Sequence, residues 1–264
     1  MKINHPFVFT ITILLSVLFL TNCKGNPEEL LQQAETLRKE GKYVEAREKL
    51  DKVLEIESNH VAFKEYGNYY FHYEKDYDMA IEYFQKSLAL KPDYINAIHN
   101  IGASYIKKFE EVKNTDHPEP EYLEKAREWL DKALEQDPGF PLSLQEYANY
   151  YFYKKNYTKA LEYCDKALKN GAETASVHML MGQIYLIGKK NYKEALTHFS
   201  AAYAKFNEHA PLLYFLAKTH KELNNHLEME AYYDKYLKAL RKMDVSAEVL
   251  EKAQMEKADF KSNS

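Results

Sequence analysis

The feature that most constrains this chain is a spacing. An alanine followed four residues later by a larger side chain occurs at Ala46/Leu50, Ala80/Phe84, Ala126/Leu130, Ala160/Cys164 and Ala195/Phe199, with Met229/Tyr233 as a degenerate sixth copy. Successive copies lie 34, 46, 34, 35 and 34 residues apart, and the outlier is one period plus a 12-residue insertion. A fixed period of this size belongs to a stack of similar units, none of which buries its apolar face alone.

The segments upstream repeat as well. Phe63, Tyr66, Gly67 and Tyr70 stand at offsets 0, 3, 4 and 7, as do Ile98/Ile101/Gly102/Tyr105 and Leu144/Tyr147/Ala148/Tyr151. His178/Met181/Gly182/Tyr185 and Leu213/Leu216/Ala217/His220 follow, and Leu30/Gln33/Ala34/Leu37 is a weaker first copy. These offsets make one stripe on a helix. The small residue in mid-stripe lets a neighbouring helix approach closely, and the downstream alanine starts a second stripe. Each unit is therefore two helices, and Pro92 and Pro138 stop second helices cleanly. The tyrosine-rich phrases beginning at Tyr66 and Tyr147 are the first helix and turn of units two and four.

The pattern of a large residue, a small one, Tyr, then Ala, a bulky residue, Ala and Pro resembles the tetratricopeptide repeat (TPR) family. The resemblance covers residues 27–243 and implies an all-α solenoid of six antiparallel helix pairs: 27–59, 60–94, 95–140, 141–174, 175–209 and 210–243. The insertion falls in the third. Its first helix is expected to run on to about Lys113, with Asn114–Pro120 a loop, either a lip that touches a partner or a tolerated expansion. Residues 244–264 are expected to form a capping helix and tail, with Ala247, Leu250 and Gln254 near one face.

The first 22 residues stand apart from the repeats. Phe7–Leu20 is an apolar run behind Lys2, shorter than the roughly 20 residues of a spanning helix. Leu20–Cys23 resembles a bacterial lipobox, with Asn22 where Gly, Ala or Ser is usual. It implies a signal peptide over 1–22, lipidation at Cys23 and a tether over 23–26. An ordinary secretory signal and an uncleaved anchor are the alternatives. A lipidated Cys23 leaves Cys164 without a disulfide partner.

The chain carries no Gly-rich phosphate loop, HExxH or GxSxG, its histidines are scattered, and its carboxylates alternate with lysine. No catalytic residue, cofactor or metal is expected. A net charge of −4 with interspersed signs gives no reason to expect nucleic acid. Function must then lie on surfaces. In the TPR family the second face of each first helix, offsets 1, 5, 8 and 9 here, lines a concave groove. The candidates are Lys64, Asn68, His72, His99, Gln145, Asn149, Tyr153 and Gln183. Phe71, Phe152 and Leu186 share this face, and at least half of its apolar positions are expected to pack between adjacent first helices. Amides and aromatics suit a protein or extended-peptide partner. The expectation is a scaffold held by lipid in a bacterial envelope, at the outer membrane or periplasmic face. The alternative is an assembly factor resembling TPR pilotin lipoproteins.

Overall fold

A computed structural model describes residues 25–116, 118–243 and 245–262, and the signal segment and Cys23 lie outside them. Thirteen helices occur among the described residues. They are α1 (Pro27–Lys39), α2 (Tyr43–Ile56), α3 (His60–Tyr69), α4 (Tyr77–Leu90), α5 (Ile95–Val112), α6 (Glu121–Gln136) and α7 (Pro141–Tyr153), continuing as α8 (Tyr157–Lys169), α9 (Thr174–Gln183), α10 (Tyr192–Tyr203), α11 (Ala210–Glu222), α12 (His226–Lys242) and α13 (Ala247–Ser262). The fold is an all-α solenoid of stacked antiparallel pairs, α1/α2 through α11/α12, followed by α13. It divides into two compact units at Lys132/Ala133, within α6.

Small-into-large contacts close each pair. In the first unit a Cβ at Gly67 would enter the Phe84 ring, and one at Gly102 would lie 2.9 Å from the Leu130 side chain. In the second unit a Cβ at Gly182 would lie 2.5 Å from Phe199. Repeat four solves the same problem with the sizes shifted: Ala148 faces the fully buried Cys164, whose thiol pKa burial pushes up to about 12. That thiol behaves as a small hydrophobe.

The tyrosines form a second recurring contact. The ring at offset 7 stacks on the ring three residues after the second-helix alanine: Tyr70 on Tyr83, Tyr151 on Tyr163, Tyr185 on His198 and His220 on Tyr232. All four centroid distances are 5.3 Å. Lys86 and Lys166 add ammonium groups 4.3 and 4.6 Å from the Tyr83 and Tyr163 rings. The backbone carbonyl at offset 7 also fixes the turn. It accepts from the residue that opens the second helix, as in Asn156 N–H to Tyr151 and Asn225 N–H to His220, both 2.9 Å.

Tyr66 to Ala80 is one residue longer than Tyr147 to Ala160, and Met181 to Ala195 shares the extra residue. These two repeats are the ones whose first helix ends in a π-turn, Tyr70–Glu74 and Ile184–Lys189. The insertion is absorbed inside the helix, with Asp76 and Asn191 still donating back to Tyr70 and Tyr185.

The helix of the insertion ends at Val112, and α6 begins at Glu121 after the loop. The capping helix corrects one detail. Ala247 and Gln254 are exposed, and the packed face is Leu250, Ala253 and Phe260. Glu256 on that side accepts from Tyr214 at 2.7 Å and Tyr233 at 3.0 Å. Burial, then the Glu256 bond, raises the Tyr214 pKa. Gly171 lacks a close neighbour but sits at φ +86°, so any side chain there strains the backbone.

Candidate peptide-binding surface

In the first unit, the candidates on α3 form a clamp around a residue the sequence reading missed. Glu65 pairs with Lys64, lies 3.3 Å from Arg38 Nε and accepts from Asn68 Nδ2 at 3.0 Å. Asn68 Oδ1 in turn accepts from Asn100 Nδ2 of α5 at 3.0 Å. Asn68 therefore joins two adjacent first helices, with one hydrogen bond at its nitrogen and one at its oxygen. His72 is exposed beside Phe71, with 4.8 Å between ring centroids. His99 departs from expectation: it is only 6% exposed and belongs to the interior. Burial lowers its pKa to about 4, so it is neutral at pH 7.

The second unit repeats the clamp's core. Asn149 Nδ2 donates to Glu146 Oε2 at 3.0 Å, the same bond as Asn68 to Glu65. The next first helix carries Leu180 where α5 carries Asn100, so no second amide reaches Asn149. Asn149 is half-buried, and among the described residues its oxygen has no counterpart of the Asn68–Asn100 bond. Gln145, one turn earlier, and Gln183, which ends α9, are half-buried and make no side-chain hydrogen bond among the described residues. Tyr153 is half-buried beside Phe152, 5.4 Å between centroids.

The apolar positions of this face mostly pack. Phe71 joins the cluster of Ala97 and Ile101, Phe152 that of Val177 and Ile184, and Leu186 that of Leu212 and Leu216. Ile106 is fully buried, whereas Ile187 is 47% exposed. The missed residues, Glu65 and Glu146, had a visible signal: each stands directly before a tyrosine phrase that opens Tyr-small-Asn.

A separate cleft of about 220 Å³ lies beside Tyr203 and Leu213. Its lysines are largely committed: Lys242 pairs with Glu208 at 2.8 Å and Lys235 donates to the Tyr203 hydroxyl at 3.0 Å.

Family comparisons agree with this geometry. A model described as tetratricopeptide repeat matches residues 65–94 and 210–241. These two segments match the tetratricopeptide repeat pattern. The model of anaphase-promoting complex, cyclosome, subunit 3 matches residues 121–202. No curated protein matches the chain in sequence. Among solved structures, a thermophilic TPR protein of Thermus thermophilus superposes with TM-score 0.62 at 17% identity, covering 75% of this chain and 99% of its own. Pseudomonas aeruginosa PilF gives 0.61 at 18%, covering 87% and 97%. PilW, a type IV pilus biogenesis factor, gives 0.63 at 18%, covering 80% and 93%. At these identities the likeness is one of fold. This chain carries the stacked helix-pair architecture of these TPR structures.

Proposed function

We propose that the chain is a membrane-anchored scaffold that binds a partner protein or extended peptide on the first-helix face of its repeats. The observation that carries this reading is the row Gln145, Asn149 and Gln183. Three half-buried amides share one face, Asn149 and Gln183 at the same offset, and a bond from Asn149 Nδ2 to the Glu146 carboxylate helps to orient Asn149. Such amides bond a partner's backbone while Tyr153 supplies contact area at low entropy cost. Among the described residues no helix is long and apolar enough to cross a membrane. The proposed attachment is lipid at Cys23, which rests on the apolar run and the Leu20–Cys23 motif. A bacterial envelope location follows from the same motif. The narrower reading, an assembly factor for an outer-membrane complex, draws on the fold shared with PilF and PilW over nearly their whole length.

Fatty-acid labelling with fractionation tests the anchor. Each buried acyl CH₂ contributes roughly 0.8 kcal/mol, so two or more chains hold a protein stably at a membrane. Wild type should take up label and sediment with membranes, and Cys23→Ala should do neither. An unlabelled wild type with equal membrane retention in the variant would remove the lipid anchor.

A further inference from the structure

Repeat five departs from the other repeats at one matched pair. Phe63 and Tyr83 in repeat two, and Leu144 and Tyr163 in repeat four, correspond to His178 and His198. The Nδ1 atoms of these histidines are 2.9 Å apart, and their ring centroids are 5.1 Å apart with planes tilted by 30°. Centroids so much farther apart than the nitrogens place the rings end to end, each Nδ1 aimed at the other. That is the geometry of an N–H···N bond, with one ring donating and the other accepting. Lone pairs aimed at each other do not converge on a common metal ion. Among the described residues no group of three metal-binding side chains surrounds them.

We infer that the His178–His198 pair is an acid-sensitive latch between α9 and α10, closed while the two rings share a proton and opened when both are protonated. With both rings neutral, one N–H fills the gap between the nitrogens. A single added proton leaves that bond in place and makes it charge-assisted. A second proton would set N–H against N–H at a distance where two positive rings repel.

The surroundings fix the sign. Tyr185 stacks on His198 with planes only 5° apart and helps to hold it away from water. Glu194, on α10, and Asp165, on α8, favour protonation of His198. Burial and the His178 charge oppose it more strongly, and the His198 pKa is lowered. A folded-state pKa below the unfolded value means that the unfolded chain binds protons the folded one refuses. Stability is then lost as pH falls below about 6.5. The neighbours of the pair carry the effect outward. His198 precedes Phe199, the ring that fills the space over Gly182, and Gln183 follows Gly182 on the proposed binding surface. Acid would thus loosen the end of that surface. This consequence rests on the binding proposal, whereas the latch does not.

Hydrogen exchange read by mass spectrometry tests the latch without a partner. Protection factors, normalised to the unfolded chain's intrinsic rates, are compared at pH 7 and pH 5 for peptides from α9–α10, with α7–α8 of the same unit as the reference. In wild type, α9–α10 should lose at least tenfold more protection than α7–α8. In His178→Phe/His198→Tyr, which copies repeat two, the two regions should change alike to within twofold. His178→Leu/His198→Tyr, which copies repeat four, serves if the first variant fails to fold. Equal acid loss in wild type and variant, or no excess loss in wild type, overturns the inference. Histidine Cε1 resonances give a second reading. Coupled two-step titration supports the latch, and two independent curves at the ordinary histidine value overturn it.

Discussion

Repeats two and four begin with nearly the same words, and the structure uses them differently. Both place a glutamate three residues before an asparagine and bond the two at 3.0 Å. In repeat two the asparagine's remaining atom is taken by Asn100 of the following helix, and the glutamate also draws in Arg38 and Lys64. In repeat four the following helix offers Leu180, which has no amide to donate to the asparagine's oxygen. One motif thus serves as a brace in one unit and as an open hydrogen-bonding site in the other. The residue that decides between them lies in the neighbouring repeat. A side chain's position within its repeat fixes its face, but not whether that face is already occupied.

The largest expected effect bears on the braced side. His99 is the residue before Asn100, and its pKa of about 4 reflects burial. Its folded pKa lies below the unfolded value. Stability is therefore full above about pH 6.5 and is lost as pH falls towards 4, by about 3 kcal/mol at one pKa unit per 1.36 kcal/mol. Urea melts at pH 7 and pH 4.5 should show much of this loss, and His99→Gln should flatten the dependence. An unchanged pH dependence in the variant would place the acid sensitivity elsewhere and detach it from the brace.

A smaller effect tests the size matching that sets the two repeats' helix spacing. Gly67→Ala makes repeat two resemble repeat four on one side only, because Phe84 still occupies the space that Cys164 leaves clear. It should cost about 1–3 kcal/mol by overpacking, more than alanine's helix propensity returns. A thermal melt at or above wild type would mean that the phenylalanine can step aside and that the spacing is not fixed by this contact.

The brace itself is worth less. Asn68→Ala removes the bond to Asn100 and one bond to Glu65, and should cost about 1–2 kcal/mol. Asn149→Ala loses only the bond to a half-buried Glu146 and should stay within about 1 kcal/mol of wild type. Equal costs in denaturant melts would erase the distinction drawn between the two repeats.

The period, the paired stripes and the small residue under each facing ring were legible because packing is periodic and each repeat votes on the same register. Gly67, Gly102 and Gly182 lie where the stripes put them. The groove candidates were legible as positions only. His99 has the offset of Lys64 and Gln145, yet its neighbours bury it. Asn68 has the offset of Asn149, yet Asn100 engages it. The second outcome depends on a residue 32 positions away, which a one-helix pattern does not contain. The extra residue in repeats two and five was visible as a count, whereas its absorption as a π-turn depended on keeping the bonds to Tyr70 and Tyr185. On α13, an offset pattern chosen without a partner missed the face that Glu256, Ala253 and Phe260 turn towards repeat six.

The central claim is that partners are held by the open amides of the second unit. Affinity capture quantified by mass spectrometry tests it most directly, with wild type, Gln145→Ala/Asn149→Ala and a deletion of residues 114–120 compared at equal folded concentration. The amide variant should melt within about 1 kcal/mol of wild type and lose roughly tenfold in partner affinity, equivalent to about 1.4 kcal/mol. The loop deletion should retain every partner. Full capture by the amide variant, with loss on deleting the loop, would contradict the account and make the loop the binding site.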